Sequence, residues 1–118
     1  MNRGNLVYIQ HINNAICRIE EYTKGMFIID DFINNKLVQA GVIRELEIIG
    51  EAAKRMTSDM RDKYPEIPWK LMAQARDKLI HQYFGVDIQV VWDTVVKAIP
   101  TLKVQIEELL ESEQLNGR

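Results

Sequence analysis

Val42-Ile43-Arg44-Glu45-Leu46-Glu47-Ile48-Ile49-Gly50-Glu51-Ala52-Ala53-Lys54-Arg55-Met56 is the stretch whose reading decides the fold class. Val42, Leu46, Ile49, Ala53 and Met56 recur at alternating steps of four and three, which places them on one face of a 3.6-residue helix. The spacing predicts a long amphipathic helix over residues 36 to 56, closed by the turn-forming Thr57-Ser58-Asp59. Upstream, Ile9, Ile12, Ile16 and Ile19 make the same kind of stripe, predicting a helix from about residue 5 to 23 that Gly25 ends. Between the two, Met26 to Asn34 carries two adjacent aspartates and reads as a brief helical turn.

Downstream, Tyr64-Pro65-Glu66-Ile67-Pro68 cannot be regular helix, because each proline drives its predecessor towards extended geometry. Pro68 suits the first turn of a third helix, where its missing N–H costs nothing, and that helix is expected to run to Phe84 and stop before Gly85. Asp87 is a suitable N-cap for a fourth segment from Ile88 to Glu113, with a kink or break near Pro100 and a frayed tail from Gln114 to Arg118. Four long amphipathic segments with short connections predict an all-α, up-and-down four-helix bundle with an additional short or broken helix, a single domain over residues 1–118.

The composition agrees with a packed helical core: 47% hydrophobic and 27% charged residues, three prolines and six glycines in 118 residues. Such a chain buries one continuous core and not two. A formal net charge of -2 provides no global attraction for nucleic acid, so an RNA site would have to be local. Cys17 is the only cysteine, which excludes an intramolecular disulfide and a thiolate zinc cluster within one chain; among apolar neighbours it is expected as a small core residue. No stretch approaches the roughly 20 apolar residues that span a bilayer, and the N-terminus lacks the apolar run of a secretory signal, so the expected location is cytoplasmic, away from membranes.

The third helix carries the chemistry. Trp69, Met72, Ala73, Ala75, Leu79, Ile80, Tyr83 and Phe84 fill one broad arc, and Arg76 falls inside it. A guanidinium is always charged, so on a core-facing stripe it needs either a carboxylate partner or a functional cleft. Glu45 is the first candidate partner and Glu51 the second. His81 lies on the polar arc, five residues and so about 140° from Arg76 on an ideal helix. It reads either as a solvated histidine or as a proton-transfer group that meets Arg76 through a distorted helix end or a second subunit. The two side chains together suit cleavage of RNA by its own 2′-hydroxyl. Histidine can take and give a proton near neutral pH, while an arginine fork can hold the added charge on phosphorus. No His, Asp and Glu cluster has metal-ligand spacing, no metal or other cofactor is expected, and His11 reads as a surface or packing residue.

Arg76-Asp77-Lys78-Leu79-Ile80-His81-Gln82-Tyr83 has the pattern Arg, four residues, His, one residue, Tyr. With Ile49-Gly50-Glu51-Ala52-Ala53, Ile67-Pro68-Trp69, Tyr83-Phe84-Gly85-Val86-Asp87, Val91-Trp92 and Ile99-Pro100 around it, the chain resembles the HepT-like toxins of the HEPN (higher eukaryotes and prokaryotes nucleotide-binding) superfamily. The resemblance covers most of the chain. It implies a homodimer whose motif helices face each other across a cleft and a metal-independent ribonuclease, some members acting on tRNA. Arg76 would hold the phosphate and His81 would act as acid or base. Asp77 either orients His81 or is merely solvated. The resemblance also implies a toxin–antitoxin pairing with an MntA-like minimal nucleotidyltransferase that attaches AMP to Tyr83, for which the competing reading is an aromatic packing residue. The alternative function is a non-catalytic nucleotide- or protein-binding partner of such a nucleotidyltransferase.

Overall fold

In a computed structural model that describes residues 2–81 and 86–116, every regular element is helical. α1 spans Arg3–Tyr22, α2 Ile29–Ile33, α3 Lys36–Lys54, α4 Ser58–Lys63 and α5 Trp69–His81; α6 spans Ile88–Asp93 and runs through a π-helical turn, Thr94–Ala98, into α7, Ile99–Asn116. The four long segments of the expected all-α bundle are therefore α1, α3, α5 and the α6–α7 rod.

The isoleucine stripe of α1 is fully enclosed: Ile9, Ile12, Ile16 and Ile19 are each 0% exposed. At roughly 1.5–3 kcal/mol for each fully buried aliphatic side chain, this stripe alone is a large share of the stabilising burial. It packs on Val42, Ile49, Ala52 and Ala53 of α3 from one side and on Ile106 and Leu109 of α7 from the other. α5 rests chiefly on the opposite flank of α3, giving a flattened body of 47 × 30 × 20 Å. Helix starts are set by side chains that satisfy the otherwise orphaned first N–H groups. Asn2 accepts from Asn5 (2.7 Å), Asn35 from Val38 (3.0 Å) and Asp87 from Gln89 (3.0 Å). Gly25, at φ +84°, makes the left-handed turn after α1. The brief α2 is closed by Asp31, which accepts from the Phe27 N–H, and by Gln39, which donates to the Phe32 and Ile33 carbonyls. Phe32 then packs against Trp92 of α6 with ring centroids 5.4 Å apart.

Three expectations need correction. Thr57-Ser58-Asp59 does not merely close α3: Thr57 caps the short helix α4, and α3 ends two residues early at Lys54. Thr57 holds α1 as well, exchanging hydrogen bonds with the buried Asn5 (2.9 and 3.3 Å). The segment from Gln114 is not frayed up to Asn116, because Glu113 anchors the end of α7 to α4 and its flank, accepting from Lys63 Nζ at 2.7 Å and the Tyr64 hydroxyl at 2.8 Å. Cys17 is exposed, since the buried face of α1 runs through residues 12, 15, 16 and 19 and leaves position 17 outside. The interruption expected near Pro100 is a π-helical turn just before it: the Ile99 N–H reaches back to the Thr94 carbonyl, five residues away, and α7 continues past the missing proline donor.

Candidate active site on helix α5

The start of α5 is fixed by the proline-rich connection. Ile67 N–H donates to the Tyr64 carbonyl, the Trp69 indole donates to the same carbonyl at 3.0 Å, and Met72 N–H donates to the Pro68 carbonyl. Pro68 thus stands just before the first helical residue. With Trp69 and Ile67 buried, the helix is held at its N-terminal end and directed along α3.

Gly50 sets how closely the two helices approach. A methyl group at that position would overlap the Cβ of Arg76 and lie 2.8 Å from the Met72 carbonyl oxygen. The aliphatic stem of Arg76 is therefore laid over bare α3 backbone, and only its head leaves the seam. There Nη2 meets Glu51 Oε2 at 3.2 Å and Nη1 meets Asp77 Oδ1 at 3.3 Å. Glu51 uses its other oxygen to accept from Arg55 Nε at 2.7 Å, and Asp77 also faces Lys54 Nζ at 3.7 Å. Arg55, Glu51, Arg76, Asp77 and Lys54 thus form one continuous chain of charges. The Arg55 hydrogen bond holds the Glu51 carboxyl below its ordinary range, against the opposing effect of burial and with help from the Arg76 charge. Glu51 in turn raises Arg55.

Glu51, and not the first-choice Glu45, is the partner of Arg76. The reason is angular: six residues correspond to about 240° around a helix, so the two glutamates address different neighbours. Glu45 points to α1, where Oε1 accepts from Arg18 at 3.3 Å with the Glu45 side chain 5% exposed. Arg76, with 27% of its side chain exposed, opens into a cleft of about 270 Å³ bordered by Tyr8 and His11 of α1 and by Arg44, Glu47 and Glu51 of α3. Tyr8 and His11 meet edge to face, ring centroids 5.9 Å apart.

The backbone of α5 is continuous from Arg76 to His81, placing the two residues on one helix as expected. The His81 side chain and Tyr83 lie outside the described residues. Asp77, expected either to orient His81 or to be solvated, has its carboxylate engaged with Arg76 and Lys54. Among the described residues, no group of three His, Cys, Asp or Glu side chains is arranged to hold a metal ion, and no helix is long and apolar enough to cross a membrane.

The family model described as ribonuclease HepT-like matches residues 12–109, most of the chain, with Gly50, Glu51 and the whole Arg76-to-Tyr83 motif inside the match. The chain belongs to the ribonuclease HepT-like family. Over 109 residues this HepT-like chain is 50% identical to a protein of Thermococcus cleftensis named "probable ribonuclease HepT", covering 92% of this chain and 98% of the relative. It is 40% identical over 107 residues to a "putative RNase" of Caldanaerobacter subterraneus subsp. tengcongensis, covering 91% and 95% of the two chains. A "putative RNase" of Methanocaldococcus jannaschii is 50% identical over 93 residues, 79% of each chain. No solved structure matches the chain.

Sequence reasoning missed the α1 and α3 walls of the cleft. His11 is exposed and packs on Tyr8, as expected of a surface or packing residue; Tyr8, Arg44 and Glu47 beside it are the lining residues that the sequence reading does not single out. The signal was present in the spacing: Arg44, Glu47 and Glu51 step by three and four along one face of α3, opposite the apolar stripe, and Tyr8 and His11 are three apart on α1.

Proposed function

We propose that this HepT-like chain is a metal-independent endoribonuclease acting as the toxin of a HEPN/MNT-type toxin–antitoxin pair. The observation that carries the reading is the clamped arginine: Gly50 seats the stem of Arg76, and Glu51 and Asp77 orient its head at the mouth of an open cleft, five residues before His81 on the same helix. The ribonuclease names of the relatives support the substrate class.

In this mechanism the ribose 2′-oxygen attacks the adjacent phosphorus while His81 accepts its proton. The bond from phosphorus to the 5′-oxygen breaks, that oxygen takes a proton from water, the proton held by His81 returns to solvent, and a 2′,3′-cyclic phosphate remains. A guanidinium has five N–H donors, so Arg76 retains donors for the phosphate after its carboxylate contacts are made, and it stabilises the charge that builds on the non-bridging oxygens. Asp77 supports Arg76 by orienting it. A homodimer fits the separation of Arg76 and His81 around one helix, since the motif helix of a second copy can complete the cleft. Leu71, 67% exposed, and the exposed Ala75 give α5 an uncovered apolar edge suited to that contact.

The antitoxin of this pair is an MntA-like nucleotidyltransferase that transfers AMP to the Tyr83 hydroxyl. A phosphodiester charge and a base placed two residues from His81 would repel and obstruct RNA. The purified protein should cut RNA in excess chelator, and His81→Ala should abolish the cut; undiminished cleavage by His81→Ala would overturn the assignment. The competing reading, a non-catalytic partner of the nucleotidyltransferase, draws on the carboxylates of Glu47, Glu51 and Asp77 around Arg76, which reduce the positive potential available to RNA. It predicts a stable hetero-complex and no cleavage by the unmodified protein at any salt concentration.

A further inference from the structure

We infer that the part of the cleft away from α5 is a nucleotide subsite, in which Arg44 grips a second phosphate of the strand held at Arg76 and the Tyr8–His11 pair supports a base. The inference rests on the reading of Arg76 as the phosphate-holding residue and adds the path of the RNA strand beyond it.

Its first support is the state of the cations. Lys54, Arg55 and Arg76 are each held by a carboxylate, whereas Arg44 makes no ion pair or hydrogen bond among the described residues and is exposed at the other end of the cleft. Its second is spacing. Arg44 precedes Glu51, the partner of Arg76, by seven residues, two helical turns or about 10.5 Å along α3, so the two guanidinium groups rise from one face of the cleft far enough apart to address different phosphates of one strand. Its third is the aromatic wall that α1 adds to the same cleft. The edge-to-face Tyr8 and His11 rings offer aromatic surface, which holds bases of single strands whatever their sequence. Half-buried Glu47, also without a partner among the described residues, is an acceptor for a ribose hydroxyl or base amine and disfavours loose anion binding. The cleft volume of about 270 Å³ is below the roughly 300–1,000 Å³ of drug-sized pockets and suits one nucleotide.

The test is fluorescence anisotropy with an end-labelled 2′-O-methyl oligoribonucleotide, which cannot be cleaved through its 2′-oxygen, across a salt series. Arg44→Ala should weaken binding about tenfold and reduce the slope of log affinity against log salt by about 0.7, the value for one single-strand phosphate contact. His11→Ala should weaken binding about fivefold with the salt slope unchanged, as expected for lost stacking. Lys70→Ala, on the exposed side of α5, should bind like wild type. Arg44 and His11 are both exposed, so neither substitution threatens folding. If Arg44→Ala keeps wild-type affinity and slope, the subsite is overturned even where His81→Ala abolishes cleavage. If Arg44→Ala binds weakly with the lower slope while His81→Ala still cuts RNA, the subsite stands and the catalytic assignment fails.

Discussion

Two glutamates six residues apart on α3 show how one helix serves stability on one side and chemistry on the other. Glu45, at the α1 seam, is 4% exposed, bonded to Arg18 through one oxygen, while its buried Oε2 has no hydrogen-bond partner among the described residues. Glu51, at the α5 seam, has 36% of its side chain exposed and divides its two oxygens between Arg55 and Arg76. A buried carboxylate with an unsatisfied oxygen carries a desolvation cost that its ion pair offsets only in part. A half-exposed one costs little and contributes little to stability, so its value lies in orientation. The α1 seam is a closed core with one charged tie, and the α5 seam is an open one built around a glycine and a clamped arginine.

The largest effect expected from breaking this contrast is at Gly50. Gly50→Val would drive its side chain into the Arg76 stem and the Met72 carbonyl; overpacking of this kind costs typically 1–3 kcal/mol. Denaturant titration should show that loss, and RNA cleavage should fall at least as far as in Arg76→Ala, because the arginine is displaced along with α5. Next is Glu51→Gln, which should lower cleavage about tenfold while leaving stability within about 1 kcal/mol. Wild-type activity with Gln at position 51 would show that the clamp does not orient Arg76. Glu45→Leu tests the other seam: replacing a poorly satisfied buried charge by an apolar side chain should leave stability unchanged or raise it by roughly 1 kcal/mol or more, with cleavage unaffected. A large destabilisation would mean that the Arg18 bond outweighs the desolvation cost.

The smallest effect concerns pH. The Lys63 hydrogen bond, opposed by burial, holds the Glu113 carboxyl below its ordinary 4.5. Because the folded value is the lower one, this contribution is fully present above 4.5 and is lost as pH falls through the folded value. Glu113→Gln should therefore be less stable than wild type at neutral pH, with the difference shrinking in acid. A gap that stays constant down to strongly acid pH would assign the anchor to packing alone.

Much of this was legible from residue spacing. The isoleucines of α1 and the apolar steps of α3 identified both faces of the central pair, and Arg76 on an apolar arc pointed to a guanidinium held by a carboxylate at a cleft. Boundary errors arose where side chains act over long sequence distances: Thr57 starts a new helix and reaches back to Asn5, and Glu113 ties the chain end to Lys63 and Tyr64. Spacing within α3 cannot tell which neighbour faces which side, so Glu45 and Glu51 were ranked in the wrong order. The role of Gly50 was likewise hidden, since an absent side chain has meaning only once the helix laid across it is known.

The central claim is that the guanidinium clamped over Gly50 stabilises phosphorus during attack by the 2′-hydroxyl. Its most direct test is the rate and product end of cleavage of one defined RNA in excess chelator, comparing wild type with Arg76→Ala. The account predicts a 2′,3′-cyclic phosphate from wild type and a rate about 10²–10³-fold lower in the variant, the scale of losing one preorganised donor group at a developing charge. A variant that cuts at the wild-type rate, or a wild-type product ending in a free 3′-hydroxyl, would contradict it.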